Sequence, residues 1–127
     1  MRTSLIISLV LLLLTVCGGK LAEHQTASLS QRYISAAKEM RIMAEKETWD
    51  RAEETVSAYK TDWACTTPWL QVLINHDDID DVTLSLTRLE AAIAARDPGT
   101  CFELCAELEE NARHIHHRDS FTLGNVL

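Results

Sequence analysis

The stretch IDDVTLSLTRLEAAI, residues 79–93, decides the fold of this chain. Its apolar residues recur at every third or fourth position: Ile79, Val82, Leu86, Leu89 and Ile93. Side chains at that spacing lie on one face of an α-helix, and the polar residues between them lie on the other face. The stretch therefore predicts an amphipathic helix whose apolar face needs a covering partner.

Three further stretches have the same spacing, and each predicts another helix of this kind. The first apolar stripe consists of Leu29, Tyr33, Ala36, Met40 and Met43. The second consists of Trp49, Ala52, Val56, Tyr59 and Trp63, and the last consists of Cys101, Cys105, Leu108, Ala112 and Ile115. Beyond Lys20 the chain has only two glycines and two prolines, too few for the frequent turns of a sandwich or barrel.

We therefore expect an all-α protein in which an N-terminal membrane or signal helix precedes a compact antiparallel bundle of about four helices. The predicted helices cover residues 22–46, 48–75 with a kink at Pro68, 77–96 and 98–117. A tail that contains Phe121 and Leu123 is expected to pack back onto the bundle.

Polar residues mark the predicted helix starts. Thr48 is placed to cap the second helix, and Asp97 followed by Pro98 resembles a cap and a first-turn proline. Four aspartates crowd the start of the third helix, where capping and the helix dipole favour carboxylates: Asp77, Asp78, Asp80 and Asp81. A calcium loop would need alternating ligands, a central glycine and a distal glutamate, which do not occur in that order.

The apolar run Leu5–Val16 follows Arg2 and precedes two glycines, as in a secretory export signal. The stretch from Ser4 to Gly19 is slightly shorter than the roughly 17 residues that a membrane-spanning helix needs. A cleaved signal and a retained anchor therefore both remain open. Cys17 also allows lipid attachment, although Val16 departs from the small residue that a lipoprotein signal has before its cysteine.

We divide the chain into a signal or anchor segment (1–20), an amphipathic connecting helix (21–47) and a helical extracytoplasmic domain (48–127). The expected location is the cell membrane, with a single span and the domain on the extracytoplasmic side. The alternative is a secreted protein, or one that is lipid-anchored through Cys17.

The net charge of −7 makes nucleic acid an improbable partner, because the chain lacks a basic surface for phosphate backbones. The membrane, through the N-terminal segment, and an unidentified protein are the expected partners.

Two groups of side chains could bind metal or respond to oxidation. Cys101 and Cys105 lie one helical turn apart on the apolar stripe, and His114, His116 and His117 end the last helix. The cysteines are either small buried residues of the core or a thiol pair that forms half of a soft-metal site. The histidines are either side chains favoured by the helix dipole at a C-terminal end or an adventitious binding site for zinc or copper. We expect no cofactor, and the redox state of Cys65 and of the pair stays open.

Five further residues are candidates for a structural signature or a contact surface: Trp49, Trp63, Trp69, His76 and Asp80. The first two lie on the core stripe, whereas Trp69 follows Pro68 and is expected to be partly exposed. His76 is interpreted as a capping or buried hydrogen-bonding residue rather than a proton sensor.

Residues from Trp49 to the C-terminus resemble the domain-of-unknown-function 4363 family. The resemblance rests on Trp49 with Ala52, Trp63, the run 74–79, the run 85–89, Glu103-Leu104, Glu107-Leu108, His114-Ile115 and the closing run 125–127. It implies a small bacterial protein with an N-terminal membrane segment and a helical extracytoplasmic domain, and it places a histidine at position 76. Pro68 and the cysteine pair depart from the family pattern.

No catalytic motif accompanies these features: the chain has no Gly-x-Ser-x-Gly elbow, no His-Glu-x-x-His and no glycine-rich phosphate loop. We therefore predict a non-enzymatic, membrane-tethered interaction module. The alternatives are a thiol- or metal-responsive envelope sensor that uses Cys101, Cys105 and His114–His117, and an enzyme whose site is assembled from distant residues.

Overall fold

The computed structural model of the chain contains four α-helices: α1 (Arg2–Glu45), α2 (Trp49–Leu73), α3 (His76–Ala94) and α4 (Pro98–Val126). It describes the backbone of residues 1–126 and the side chains of residues 1–116. Every regular element among the described residues is a helix, which confirms the predicted all-α class.

The helices form an antiparallel bundle in which each helix packs mainly against two neighbours. α1 lies against α4 and α2, and α3 lies against the same two helices. Connections of two or three residues make consecutive helices run in opposite directions. The predicted bundle is therefore confirmed, and its most extensive helix pair is α1 with α4.

The core is built on the four apolar stripes that the sequence predicts, with further buried residues beside them such as Ile34, Leu70 and Leu104. All stripe residues on α1, α3 and α4 are buried, and on α2 only Tyr59 remains partly exposed. Each helix thus removes the apolar face of its neighbours from water, which is the main favourable term in forming the bundle.

α1 has two halves of opposite character. The N-terminal half contains an 18-residue window with a mean hydropathy of 2.3, none of it buried in the bundle, whereas the inner face is buried from Thr26 onward. Gly18 and Gly19 lie inside the helix, and a Cβ added at either position would meet open space. Because the helix continues through them, the predicted first helix is the second half of a longer one. By length and composition the apolar half is compatible with a single-pass anchor or a signal sequence.

α2 continues through Pro68 and ends at Leu73, two residues before the predicted end. Proline has no amide hydrogen, so the carbonyl of Ala64, one turn earlier, loses its usual helical donor. The Thr67 hydroxyl donates to this oxygen at 3.1 Å and replaces the missing bond. The threonine before the proline therefore helps the helix to continue.

Two of the three predicted caps differ in the structure. Thr48 occupies the N-cap of α2 but makes no capping bond, because its hydroxyl donates back to the Met43 carbonyl at 3.2 Å. The cap of α3 is the Asn75 side chain, which accepts from the Asp77 amide, so the aspartates occupy the first turns instead. The Asp97 cap is confirmed: its carboxylate accepts from the Thr100 amide and hydroxyl, and these bonds lower the pKa of Asp97.

α1 and α3 end in the same way, with a residue in the left-handed region at Glu47 and Arg96, each with φ of 54°. In both cases the amide of that residue and the next amide donate back to carbonyls of the last turn. This is the Schellman arrangement, which usually has glycine at the left-handed position. The two turns lie beside each other, since Glu47 and Arg96 line one surface pocket.

α4 extends to Val126, beyond the predicted end at residue 117. Neither proline nor glycine occurs between residues 118 and 123, so nothing in the local sequence stops the helix there. The side chains of His117, Phe121 and Leu123 lie outside the described residues, and so does the predicted packing of the tail.

Replacing either left-handed residue with glycine should stabilise the protein. Glu47→Gly and Arg96→Gly are each expected to raise the free energy of unfolding by about 0.5–1 kcal/mol, because glycine removes the Cβ strain at positive φ and offsets its own entropy cost. Urea denaturation followed by tryptophan fluorescence measures the change. Glu53→Gly, at an exposed position within α2, is the matched control and should cost about 1 kcal/mol. A loss of stability in all three variants would contradict the proposed strain.

Candidate functional site

The three tryptophans lie on α2 at three different levels of the bundle. Trp49 and Trp63 are buried, as their stripe positions predict, and they lie about 21 Å apart along the helix axis. Trp69 is 42% exposed, which agrees with its expected partial exposure. The three rings therefore do not line a common aromatic site.

Trp63 belongs to a buried aromatic cluster with Tyr33 of α1 and Tyr59 of α2. The Tyr33 ring meets the other two edge-on, with ring centroids 5.0 Å from Trp63 and 5.7 Å from Tyr59. The indole nitrogen of Trp63 donates to the Thr83 hydroxyl of α3 at 2.8 Å. The cluster thus connects three helices, and the polar end of the indole has a partner.

The hydroxyl of Tyr33 is the polar centre of this cluster. It lies 2.8 Å from the Asp62 carboxylate and 3.2 Å from the Tyr59 carbonyl. Burial, followed by the bond to Asp62, raises the pKa of Tyr33 well above its ordinary value, so the hydroxyl stays protonated. Arg32 pairs with the other oxygen of Asp62 at 3.2 Å, at the edge of the cluster.

Below this cluster, towards the apolar half of α1, a surface pocket of about 290 Å³ lies between α1 and α2. We call it the Trp69 pocket. Its lining residues come from both helices: His24, Gln25, Ser28, Leu29 and Arg32 of α1, with Thr66 and Trp69 of α2. The lining contains one cationic side chain, several hydrogen-bond donors and an aromatic ring, and it contains no carboxylate.

His76 and Asp80 lie away from this pocket, on α3. His76 is the first residue of that helix and is exposed, so it is not the buried residue of one of the two interpretations. The capping role, the other interpretation, belongs to the side chain of Asn75. Asp80 is exposed as well, whereas Asp78 of the same acidic run is buried. Only one face of the first turn of α3 meets the bundle, and the run therefore divides between core and solvent.

Cys101 and Cys105 are buried in the core as free thiols. Burial raises the pKa of Cys101, and it raises the pKa of Cys105 to about 12. A thiol that stays protonated is a weak nucleophile and a weak metal ligand. At these two positions the side chains behave as small apolar residues of the core.

The histidines of α4 lie near the C-terminal end of the described side chains. His114 is 3.2 Å from the Glu110 carboxylate, one turn earlier, and His116 is half-buried. Among the side chains of residues 1–116, no three His, Cys, Asp or Glu groups come close enough to hold a metal ion. His24, His76 and His114 lie at the same end of the bundle, the one that adjoins the apolar half of α1, but they belong to three different helices and do not form a metal site.

Sequence reasoning missed the contacts of Tyr33, Thr83 and Arg32, and it missed the pocket. One signal was present: Tyr33 and Trp63 lie on core stripes, and a buried hydroxyl or indole nitrogen requires a partner. The sequence did not indicate which residues of α2 and α3 would supply that partner. The pocket depends on the register of α1 against α2, which periodicity does not define.

The hydroxyl of Tyr33 should contribute measurably to stability. Tyr33→Phe is expected to lower the free energy of unfolding by about 1 kcal/mol, since the part-buried Asp62 carboxylate and Tyr59 carbonyl lose their donor. Tyr59→Phe is the matched control, because its hydroxyl contacts Glu39 at an exposed position, and about 0.5 kcal/mol or less is expected. Urea denaturation measures both variants, and equal losses would contradict the assigned role of Tyr33.

Comparison with known protein families gives a match. The family described as Domain of unknown function (DUF4363) matches residues 21–126, a range that starts earlier than the resemblance at Trp49 and includes the whole bundle. Neither the curated proteins nor the solved structures contain a match. On the extent of the family match, the chain belongs to the domain-of-unknown-function 4363 family.

Proposed function

We propose that this protein is a non-enzymatic, membrane-tethered interaction module whose helical bundle lies on the extracytoplasmic side and docks onto a protein partner there. The observation that carries the proposal is α1, one continuous helix with an exposed apolar first half and a second half built into the bundle. A retained apolar half would hold the bundle at the membrane without a flexible linker.

The length of the apolar half suits this role. Residues 2–19 extend about 27 Å as a helix, close to the roughly 30 Å of a hydrocarbon core. Among the described side chains, the bundle core is covered without these residues. Packing in that core therefore does not account for so apolar a segment, whereas a bilayer would.

The end of the bundle next to this segment offers the best contact surface for a partner. Val72 is 85% exposed and Trp69 is 42% exposed, and the two lie one turn apart on α2. Exposed apolar and aromatic side chains of this kind are frequent at protein interfaces. A partner that is itself embedded in the membrane would meet this end of the bundle first.

The described pockets and thiols favour a binding role over catalysis or sensing. Four surface pockets among the described residues have volumes between about 210 and 370 Å³, three of them along helix faces and one at the turns that contain Glu47 and Arg96. The cysteines that the sensor alternative requires, Cys101 and Cys105, are buried and protonated. An accessible low-pKa thiol would suit a redox sensor better.

Retention and sidedness can be tested with Cys65, which is exposed on α2. We expect the full-length chain to remain in the membrane pellet after alkaline carbonate extraction. A membrane-impermeant maleimide should label Cys65 on intact cells, and Cys65→Ala should remove that label. Cys101 and Cys105 should react only after denaturation, because their thiols are buried.

For each of these predictions, one result would contradict it. Release of the chain by carbonate would exclude a retained span. Labelling of Cys65 only after the cells are permeabilised would place the bundle on the cytoplasmic side. Fast labelling of Cys101 or Cys105 in the folded protein would favour the sensor alternative.

Docking onto a partner can be tested by site-specific photo-crosslinking in membranes. A photoreactive residue at Val72 should yield a small number of discrete crosslinked proteins, because that position is the most exposed apolar site on α2. The same residue at Glu53, an exposed polar position on the same helix, serves as the control. Identical, diffuse products of abundant proteins from both positions would argue against a specific partner.

A further inference from the structure

We propose that the pocket beside the α1–α2 and α3–α4 turns binds a free α-amino acid in its zwitterionic form. We call it the two-turn pocket, and its lining consists of Glu47, Thr48, Trp49, Asp50, Arg51 and Arg96. Its volume of about 320 Å³ is at the low end of the roughly 300–1,000 Å³ of small-molecule sites, as a single amino acid requires. The pocket lies at the opposite end of α2 from the proposed docking surface, and it does not depend on a membrane anchor.

The first turn of α2 offers backbone donors to the carboxylate of such a ligand. Thr48 occupies the N-cap without a capping bond, and the amides of Asp50 and Arg51 have no acceptor among the described residues. At the starts of α3 and α4, by contrast, the side chains of Asn75 and Asp97 accept from amides of this kind. Free amides at a helix N-terminus, together with the helix dipole, favour a bound carboxylate.

A buried donor in the pocket wall points to a ligand independently of the helix end. Trp49 lines the pocket and is only 8% exposed, yet its indole N–H has no hydrogen-bond partner in the described part of the chain. The buried indole N–H of Trp63, by comparison, donates to the Thr83 hydroxyl. Because buried indole N–H groups usually have such a partner, an acceptor held in the two-turn pocket would complete the hydrogen bonding of Trp49.

The charged side chains of the lining balance each other without pairing. Arg51 and Arg96 supply two guanidinium groups, and Glu47 and Asp50 supply two carboxylates. None of the four forms an ion pair with another described side chain. A simple anion such as phosphate would be repelled by both carboxylates. A zwitterion uses both signs, since guanidinium and amide N–H groups bind its carboxylate while carboxylate oxygens accept from its ammonium group.

Isothermal titration calorimetry on the full-length chain in detergent measures the binding. At least one of glycine, L-alanine and L-leucine should bind to a single site per chain. The amide of that amino acid lacks the carboxylate, and its N-acetyl derivative lacks the ammonium group. Each derivative should bind about tenfold more weakly or worse, because it loses charge-assisted hydrogen bonds.

Two variants and a control assign the binding to this pocket. Arg96→Gln should weaken it about tenfold, because the lining loses a cation. Lys46→Gln is the matched control: Lys46 adjoins Glu47, is exposed and is absent from the lining, so binding should not change. Thr48→Asp places a carboxylate at the N-cap, where it accepts from the amides that the ligand would use. This variant should abolish binding, while its thermal unfolding midpoint should not fall.

Five results would overturn the inference. They are absence of binding by all three amino acids, undiminished binding of the amide or N-acetyl derivative, equal effects of Arg96→Gln and Lys46→Gln, unchanged binding in Thr48→Asp, and tighter binding of inorganic phosphate than of the amino acid. The last result would identify a simple anion as the ligand. Failure of the membrane anchor or of partner docking is read separately, from carbonate extraction and from the Val72 crosslinks.

Discussion

The burial of the second half of α1 against α4 is the contact on which the rest of the structure depends. The Ser30 hydroxyl donates to the Ala112 carbonyl at 2.7 Å, in a fully buried position. A side chain this short reaches a backbone oxygen of another helix only where the two helices lie close together. The buried face of α1 is accordingly rich in small residues, Ala36, Ala37 and Ala44 among them. This contact fixes where the bundle begins along α1 and leaves the first half of that helix outside it.

Each of the four principal helix pairs has its own specific hydrogen bond. Ser30 bonds to Ala112 between α1 and α4, and Tyr33 bonds to Asp62 between α1 and α2. The other two pairs are joined by Trp63 with Thr83 and by Asn111 with Ser85. Apolar stripes alone would tolerate a shift by one helical turn, since the stripe repeats every three or four residues. A buried polar pair is satisfied in one register only, because a shifted neighbour would leave a donor or acceptor without its partner.

The continuity of α1 links this register to the proposed function. In a membrane-anchored chain, a helix without a flexible joint transmits its position in the bilayer directly to the bundle. The glycines at residues 18 and 19, which could have separated the two halves, are instead part of the helix. The height of Trp69 above the membrane then follows from helical rise and from the register of α1 against α2. The proposed docking surface at Trp69 and Val72 would thereby be held at a set height above the bilayer.

The sequence by itself determined the number of helices in the bundle, the residues on their buried faces and the apolar character of the N-terminal segment, because these depend on local periodicity and composition. It also indicated the Asp97 cap and the buried state of Trp49 and Trp63. It did not determine that the N-terminal segment and the first bundle helix form one continuous helix. Tertiary structure decided the rest. The cap of α3, the exposure of His76, the partners of Tyr33 and the residues around Trp69 all depend on which turns of different helices lie opposite each other. A repeating stripe does not encode that register, which is set by the close approach of α1 to α4 and by polar pairs between residues distant in the chain.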